Sequence, residues 1–279
     1  MLAAMRQAKI LDEVRRTGGV RVAHLAALLG VSDMTVRRDL DALDRKGLLS
    51  KVHGGATAME TTSALEPTFE VASQREVWEK EVIAAHAATL VKPGMAVAIT
   101  AGSTTWTLAR HLGDIPDLTI VTNSLKVAEA LNDRHRRDLT VVLTGGLRIP
   151  SDGLVGPIAV QAIRALHVDM VVMGVAGIDE RAGLTTPNLL EAETNRAFVE
   201  SARRLVVLAD HTKWGAVGLA QFAPLSAVHT LLTDDRLPDD AAEVLSEQVS
   251  EVIIIPTTGE SEPGGADGAP TTERDGRSA

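Results

Sequence analysis

Seven short apolar runs rich in β-branched residues recur along the C-terminal three quarters of the chain. They read "MAVAIT", "LTIVTNS", "LTVVLTGG", "VDMVVMGVAG", "RLVVLAD", "HTLLTD" and "EVIIIP". Most are separated by stretches with helical spacing of apolar residues, such as "STTWTLARHL", "LKVAEALN", "GPIAVQAIRAL" and "NLLEAETNRAFVESA". Strands that are apolar throughout must be covered on both faces. Alternation with amphipathic helices supplies that cover, so the pattern predicts an α/β domain around a mostly parallel sheet. Aromatic residues are only 2% of the chain and Tyr is absent. The core must therefore be built from Ala, Val, Leu and Ile.

The first 56 residues follow a different rule. Helical spacing in residues 5–16 ends at "TGG", and "VAHLAALLG" gives a shorter helix with Leu25, Leu28 and Leu29 expected inward. Gly30 suits the position just past a helix end, and Ser32 suits the N-cap of a third helix running to about Lys46 and Gly47. On that helix Val36, Leu40 and Leu43 make one apolar stripe. "LLSKVHGGA" reads as a hairpin. Three helices with a tight turn between the second and third, then a small ribbon, predict a winged helix-turn-helix.

Charge divides along the same boundary. The net charge is -9, yet residues 1–56 hold ten Lys and Arg against six Asp and Glu, leaving a basic head of +4 on an acidic body of -13. A basic head suits a polyanion that the body would repel. The second helix of such a turn enters the major groove, which makes Arg37, Arg38 and Thr35 candidates for bases or phosphates. Ser32, Arg21, and Lys51 and His53 on the wing are candidates for the backbone. The bland alternative is that Arg37 and Asp41 form an i,i+4 pair on a solvated face. Position early in the third helix favours double-stranded DNA.

The strand-to-helix turns of the body are small and polar. Gly102 allows close backbone approach, Ser103, Thr104 and Thr105 offer hydroxyls, and a helix start offers free N–H groups, a combination that favours an anion. Asn123 and Ser124 repeat the design. Gly145 and Gly146, Asp179, and Lys213 in "LADHTKWG" follow other strands. In a parallel sheet these ends share one edge, where ligands of open α/β folds bind. Hydroxyls with one lysine suggest a small phosphorylated polyol.

There is no cysteine, which excludes disulfides and thiolate chemistry and fits a cytoplasmic, reducing compartment. No apolar run approaches the roughly 18 residues of a spanning helix, so no membrane association is expected. Histidines are scattered, without HExxH, and neither a P-loop nor a GxSxG elbow occurs, so no metal and no cofactor is expected. Residues 57–73 lack periodicity and read as a linker. Residues 74–90 read as a helix that opens the domain 74–256. Residues 257–279 are polar and rich in Gly and Pro, and read as a disordered tail.

"VSDMTVRRDLDAL", followed by "HGGA", resembles the DNA-binding head of the DeoR family of bacterial transcriptional regulators. "TAGSTTWTLARHL", "VTNSL", "LTGG", "GLTTPNLLEAETNRA" and "LADHTKWG" resemble successive landmarks of that family's effector domain. The resemblance implies a DNA-binding regulator, most often a repressor of a sugar catabolic operon. It also implies an effector domain similar to sugar-phosphate isomerases, a phosphorylated sugar as effector, and a homo-oligomer. By the same resemblance the phosphate loop is Gly102, Ser103, Thr104 and Thr105, the polar wall Asn123, Ser124, Gly145 and Gly146, the cation Lys213, and the hydroxyl partners Asp179 and Glu193. Two positions depart from it. Thr100 stands where many relatives carry an acid, and Asn195 where many carry a lysine. The competing expectation is a sugar-phosphate isomerase or deaminase that carries a DNA-binding head.

Overall fold

The computed structural model describes residues 3–45, 48–57, 66–132 and 137–257. The expected end of the third helix at Lys46 and Gly47, residues 58–65 of the expected linker and nearly all of the expected tail lie outside these residues.

The head contains α1 (Ala3–Thr17), β1 (Gly19–Arg21), α2 (Val22–Leu29), α3 (Asp33–Arg45), β2 (Ser50–Val52) and β3 (Gly55–Thr57). Ile10, Val14, Leu25, Val36, Leu40, Leu43 and Leu49 form its buried core. Gly30 closes α2 at φ 65°, a left-handed conformation that glycine adopts without steric penalty. The Ser32 hydroxyl then accepts from the Thr35 backbone N–H at 3.3 Å and starts α3. Leu28 is corrected: it is 55% exposed, because α2 is only two turns long and its buried face is Val22 and Leu25. β1 pairs antiparallel with β3, so the ribbon has three strands in the order β1-β3-β2. Asp39 on α3 is also buried, where it accepts from Arg6 Nη2 at 3.2 Å and Gln7 Nε2 at 3.1 Å, fastening α1 to α3.

The body begins with α4 (Phe69–Ser73) and α5 (Val77–Ala88), then β4 (Ala96–Ile99), α6 (Ser103–His111), β5 (Leu118–Thr122), α7 (Leu125–Asn132) and β6 (Leu139–Leu143). Two short strands, β7 (Leu147–Arg148) and β8 (Leu154–Val155), lead to α8 (Pro157–Arg164) and β9 (Met170–Gly174). β10 (Gly177–Asp179), β11 (Gly183–Thr186), α9 (Leu189–Ser201), β12 (Leu205–Leu208), β13 (Ala220–Ala223), β14 (Thr230–Asp234), α10 (Asp239–Gln248) and β15 (Val252–Ile255) complete it.

Seven strands form one parallel sheet, ordered β15-β14-β12-β9-β4-β5-β6. One face packs on Val171, Met173, Val207 and Phe198, the other on Ile83, Val97, Leu108 and Ile120. The chain winds outward from β4 to β6, returns to β9 on the other side of β4, and winds outward again. That reversal leaves a crevice beyond the C-terminal ends of β4 and β9. A small antiparallel sheet, β10-β11-β13, stands beside it.

Candidate functional site

Two surfaces meet the requirements set by the sequence. On the head, Arg37 and Arg38 are exposed on α3, as are Arg21 at the start of α2 and His53 in the wing turn. Ser32 is exposed, and its hydroxyl lies 3.0 Å from that of half-buried Thr35. Lys51 is exposed but its ammonium meets Asp41, while its backbone N–H donates to Asp44 at 2.9 Å. Asp41 thus turns to the wing, and no pair between Arg37 and Asp41 forms among the described residues. Both arginine forks are left facing outward.

A cleft of about 620 Å3 opens at the strand reversal of the body and reaches Leu11, Val14 and Leu48 of the head. The residues after β4, Ala101, Gly102, Ser103 and Thr104, form part of its wall at the start of α6. Gly174 ends β9 and Val175 follows it, and Asp210, Thr212 and Lys213 follow β12. Thr186 enters from β11, and Glu191 and Asn195 from α9. Gly218 lines the cleft where its backbone crosses Thr186; a Cβ there would lie 2.6 Å from the Thr186 carbonyl carbon.

Four of the eleven residues proposed for the effector line this cleft: Gly102, Ser103, Thr104 and Lys213. The other seven do not, each for a physical reason. The Thr105 hydroxyl donates inward to Thr100 O at 2.7 Å. Asn123 is fully buried, accepting from Ala101 N–H at 2.9 Å and donating to Leu154 O at 3.1 Å; it shapes the loop from behind. The Ser124 hydroxyl caps α7 by accepting from Val127 N–H. Gly145 and Gly146 turn the chain toward β7; a Cβ on Gly146 would lie 2.6 Å from Val155 O. Asp179 accepts from Arg181 and Ala182 N–H in the β10–β11 turn, and Glu193 is exposed. Asp179 and Glu193, expected to meet sugar hydroxyls, thus lie outside the lining of this cleft.

The segment from Glu66 to Arg75 is what periodicity missed. It contains α4 and a structured lead-in, not a free linker, and it contributes Glu66, Phe69, Ala72 and Arg75 to the cleft. Phe69 stacks edge-on against Trp106 with centroids 5.6 Å apart, and its N–H donates to Pro150 O at 3.2 Å. Glu66 accepts from Ser151 N–H at 3.2 Å and Asn188 Nδ2 at 3.0 Å. Lys80 of α5 donates to Ala72 O at 2.7 Å and Arg75 O at 2.6 Å, closing the C-terminal turn of α4. This strap is the covalent route from the cleft to the head.

Charge in the cleft falls into two groups. Burial pushes Lys80 down to about 8, helped by Lys213 and Arg75 and opposed by Asp210 and Glu76. Burial also acts on Asp210, but Lys213, the Thr212 hydroxyl and Lys80 outweigh it and hold the carboxyl below the usual range. Its Oδ2 has no hydrogen-bond partner among the described residues. Beside this group, His211 is held above its usual value despite burial, by the Asp234 carboxylate 2.9 Å from Nδ1. The second group is acidic: the enclosed Glu191 carboxyl is pushed up to about 7 by burial and by the charge of Glu66, although the Thr186 hydroxyl donates to it.

Residues 6–62 match the DeoR-like helix-turn-helix domain, and residues 75–235 match the DeoR C terminal sensor domain. The chain belongs to the DeoR family. Relatives include the HTH-type transcriptional regulator GlpR of Haloferax volcanii, 36% identical with 91% of this chain and 98% of that protein covered. The HTH-type transcriptional repressor CsqR of Escherichia coli is 32% identical, with 89% and 94% covered. The L-fucose operon activator of Haemophilus influenzae is 32% identical, with 83% and 92% covered. Among solved structures, ribose 5-phosphate isomerase A from Methanocaldococcus jannaschii is similar at a TM-score of 0.35 and 19% identity, with 48% of this chain and 53% of that chain covered. This DeoR-family chain is thus a DNA-binding transcriptional regulator with a sensor domain. No described helix is long and apolar enough to cross a membrane, and no group of three or more His, Cys, Asp or Glu able to hold a metal ion occurs among the described residues.

Proposed function

We propose that the sensor cleft takes a phosphorylated sugar and that its occupancy controls how tightly α3 holds an operator, with repression of a sugar catabolic operon as the default output. One observation carries the reading: the N-terminus of α6, with Ser103 and Thr104, shares a cleft with Lys80 and Lys213. Free N–H groups, hydroxyls and ammonium groups around one space suit a phosphate. The strap gives the route of control. A phosphate competes with the Ala72 and Arg75 carbonyls for Lys80, and loosening α4 alters how the head is held. A ligand shifts the equilibrium only by binding the two arrangements unequally. Two heads per assembly are proposed, because one short recognition helix has a small footprint and paired half-sites multiply affinity.

The test is a thermal-shift screen of pentose and hexose phosphates, repeated with Lys213→Ala. A specific stabilisation by one class, lost in the variant, supports the cleft as the phosphate site. Stabilisation that survives the substitution moves the site elsewhere.

A second reading draws on Glu191. A carboxyl near 7 beside a sugar is poised for proton transfer, so the cleft could isomerise or deaminate what it binds. Its relatives are named as regulators, and we assign the group to recognition. Turnover of any sugar phosphate that scores in the screen would reverse that assignment.

A further inference from the structure

The acidic end of the cleft is not explained by a phosphate. We propose that Glu66, Glu191 and Asn195 together read an ammonium group, so that the ligand is a phosphorylated amino sugar. The inference rests on the reading of the cleft as a sugar-phosphate site and specifies what else the sugar carries.

Glu66 and Glu191 lie close enough to raise each other's energy, and no cation among the described residues pairs with either. Lys80 and Lys213 of the same cleft interact with Asp210, not with these two carboxylates. The Glu191 carboxyl keeps a single hydrogen bond among the described residues, from the Thr186 hydroxyl. One turn along α9, Asn195 lines the cleft, is only 5% exposed, and its side chain makes no hydrogen bond with any described residue. Its amide supplies a third acceptor to the same lining. Glu66 already accepts from Ser151 N–H and Asn188 Nδ2, so what is unmet is the charge of the two half-buried carboxylates and the demand for donors at Glu191 and Asn195. Two carboxylates and an amide ask for several donors and a positive charge, and a primary ammonium supplies three N–H groups and one charge. A hydroxyl supplies one donor and leaves the charge unmet. An acetylated amine supplies one N–H, no charge, and bulk.

The phosphate and the ammonium would then occupy oppositely charged parts of one cleft, which orients the sugar as well as binding it. Binding a cation beside Glu191 also requires that carboxyl to ionise. Near pH 6.5 it is largely protonated in the empty cleft, so the ligand expels a proton as it enters.

The experiment is titration calorimetry on the full chain with glucosamine 6-phosphate, galactosamine 6-phosphate, their N-acetyl forms and the parent hexose 6-phosphates. A charge-assisted hydrogen-bonded pair predicts a preference of about tenfold or more for one free amine over its parent and its acetylated form. Repetition at pH 6.5 in buffers of different ionisation enthalpy should show more proton release for the amine than for the parent hexose phosphate. Glu191→Gln should compress the amine preference to about twofold and abolish the extra proton release. An intact operator affinity in the empty state shows that this variant is folded. Equal binding of parent and amine sugars, tighter binding of the acetylated sugar, or a preference that survives Glu191→Gln overturns the inference. Parent hexose phosphates binding without amine preference would sink this inference alone. Failure of every sugar phosphate to bind would sink the sugar-phosphate reading and this one with it.

Discussion

Between pH 4.5 and about 7 the folded chain holds a proton on Glu191 that the unfolded chain has already released. A carboxyl whose folded value is raised opposes stability once it must ionise. Stability therefore falls as pH rises through that window, by up to about 3 kcal/mol if Glu191 acts alone. Urea unfolding of the unliganded protein at pH 5, 6, 7 and 7.5 should show that decline, and Glu191→Gln should flatten it. Parallel profiles for the two proteins would mean that the carboxyl is solvated and that the acidic end of the cleft is no strained acceptor. This residue carries no sequence signal of its own, since a glutamate near a helix start is ordinary. Its environment comes from Glu66, in a distant segment without periodicity, and from Thr186 at the end of β11, a hydroxyl that spacing alone does not aim at α9.

Among the elements, α3 displays what periodicity can and cannot reveal. The stripe of Val36, Leu40 and Leu43 follows from spacing alone, and spacing also places Arg38 on the opposite face. Spacing does not reveal that Asp41 pairs with the wing at Lys51 in preference to Arg37, because that choice depends on where the ribbon returns. Arg38 is exposed on that opposite face, and Arg38→Ala should weaken operator binding by about 1–3 kcal/mol if the fork reads a base. Equal loss on random duplex would assign it to phosphate. The check is anisotropy with operator and scrambled duplexes at one fixed salt concentration, since phosphate contacts are salt-dependent. In the body, the seven strands of the parallel sheet are legible because burial on both faces makes each an apolar run. The small sheet β10-β11-β13 is not. Its strands are three or four residues long, and although β10 and β11 form a local hairpin, the pairing of β11 with β13 is fixed by contacts across more than thirty residues of chain. The strand-to-helix turns were legible as polar, but polarity does not say which way a side chain faces. Asn123 and Ser124 hold the backbone, whereas Ser103 and Thr104 line the cleft.

For the whole molecule, the arrangement joins a basic head to an acidic body by a strap that is itself one wall of the sensor cleft. Operator and effector then act on one equilibrium, and the coupling between them must be reciprocal. Phe69 is where the strap is anchored by packing, through its edge-on contact with Trp106. Phe69→Ala removes that buried ring and frees α4, a five-residue helix with little stability of its own. The sheet and both of its core faces lie elsewhere, so the loss should be confined to the strap. Operator affinity measured with and without a saturating sugar phosphate identified by the screen should differ several-fold in the parent protein, within the usual range of allosteric coupling. In Phe69→Ala the two values should converge, because a strap already undocked in the empty cleft has nothing left for the ligand to release. An unchanged ratio in a variant that still binds both partners would show that control passes from cleft to head by another path.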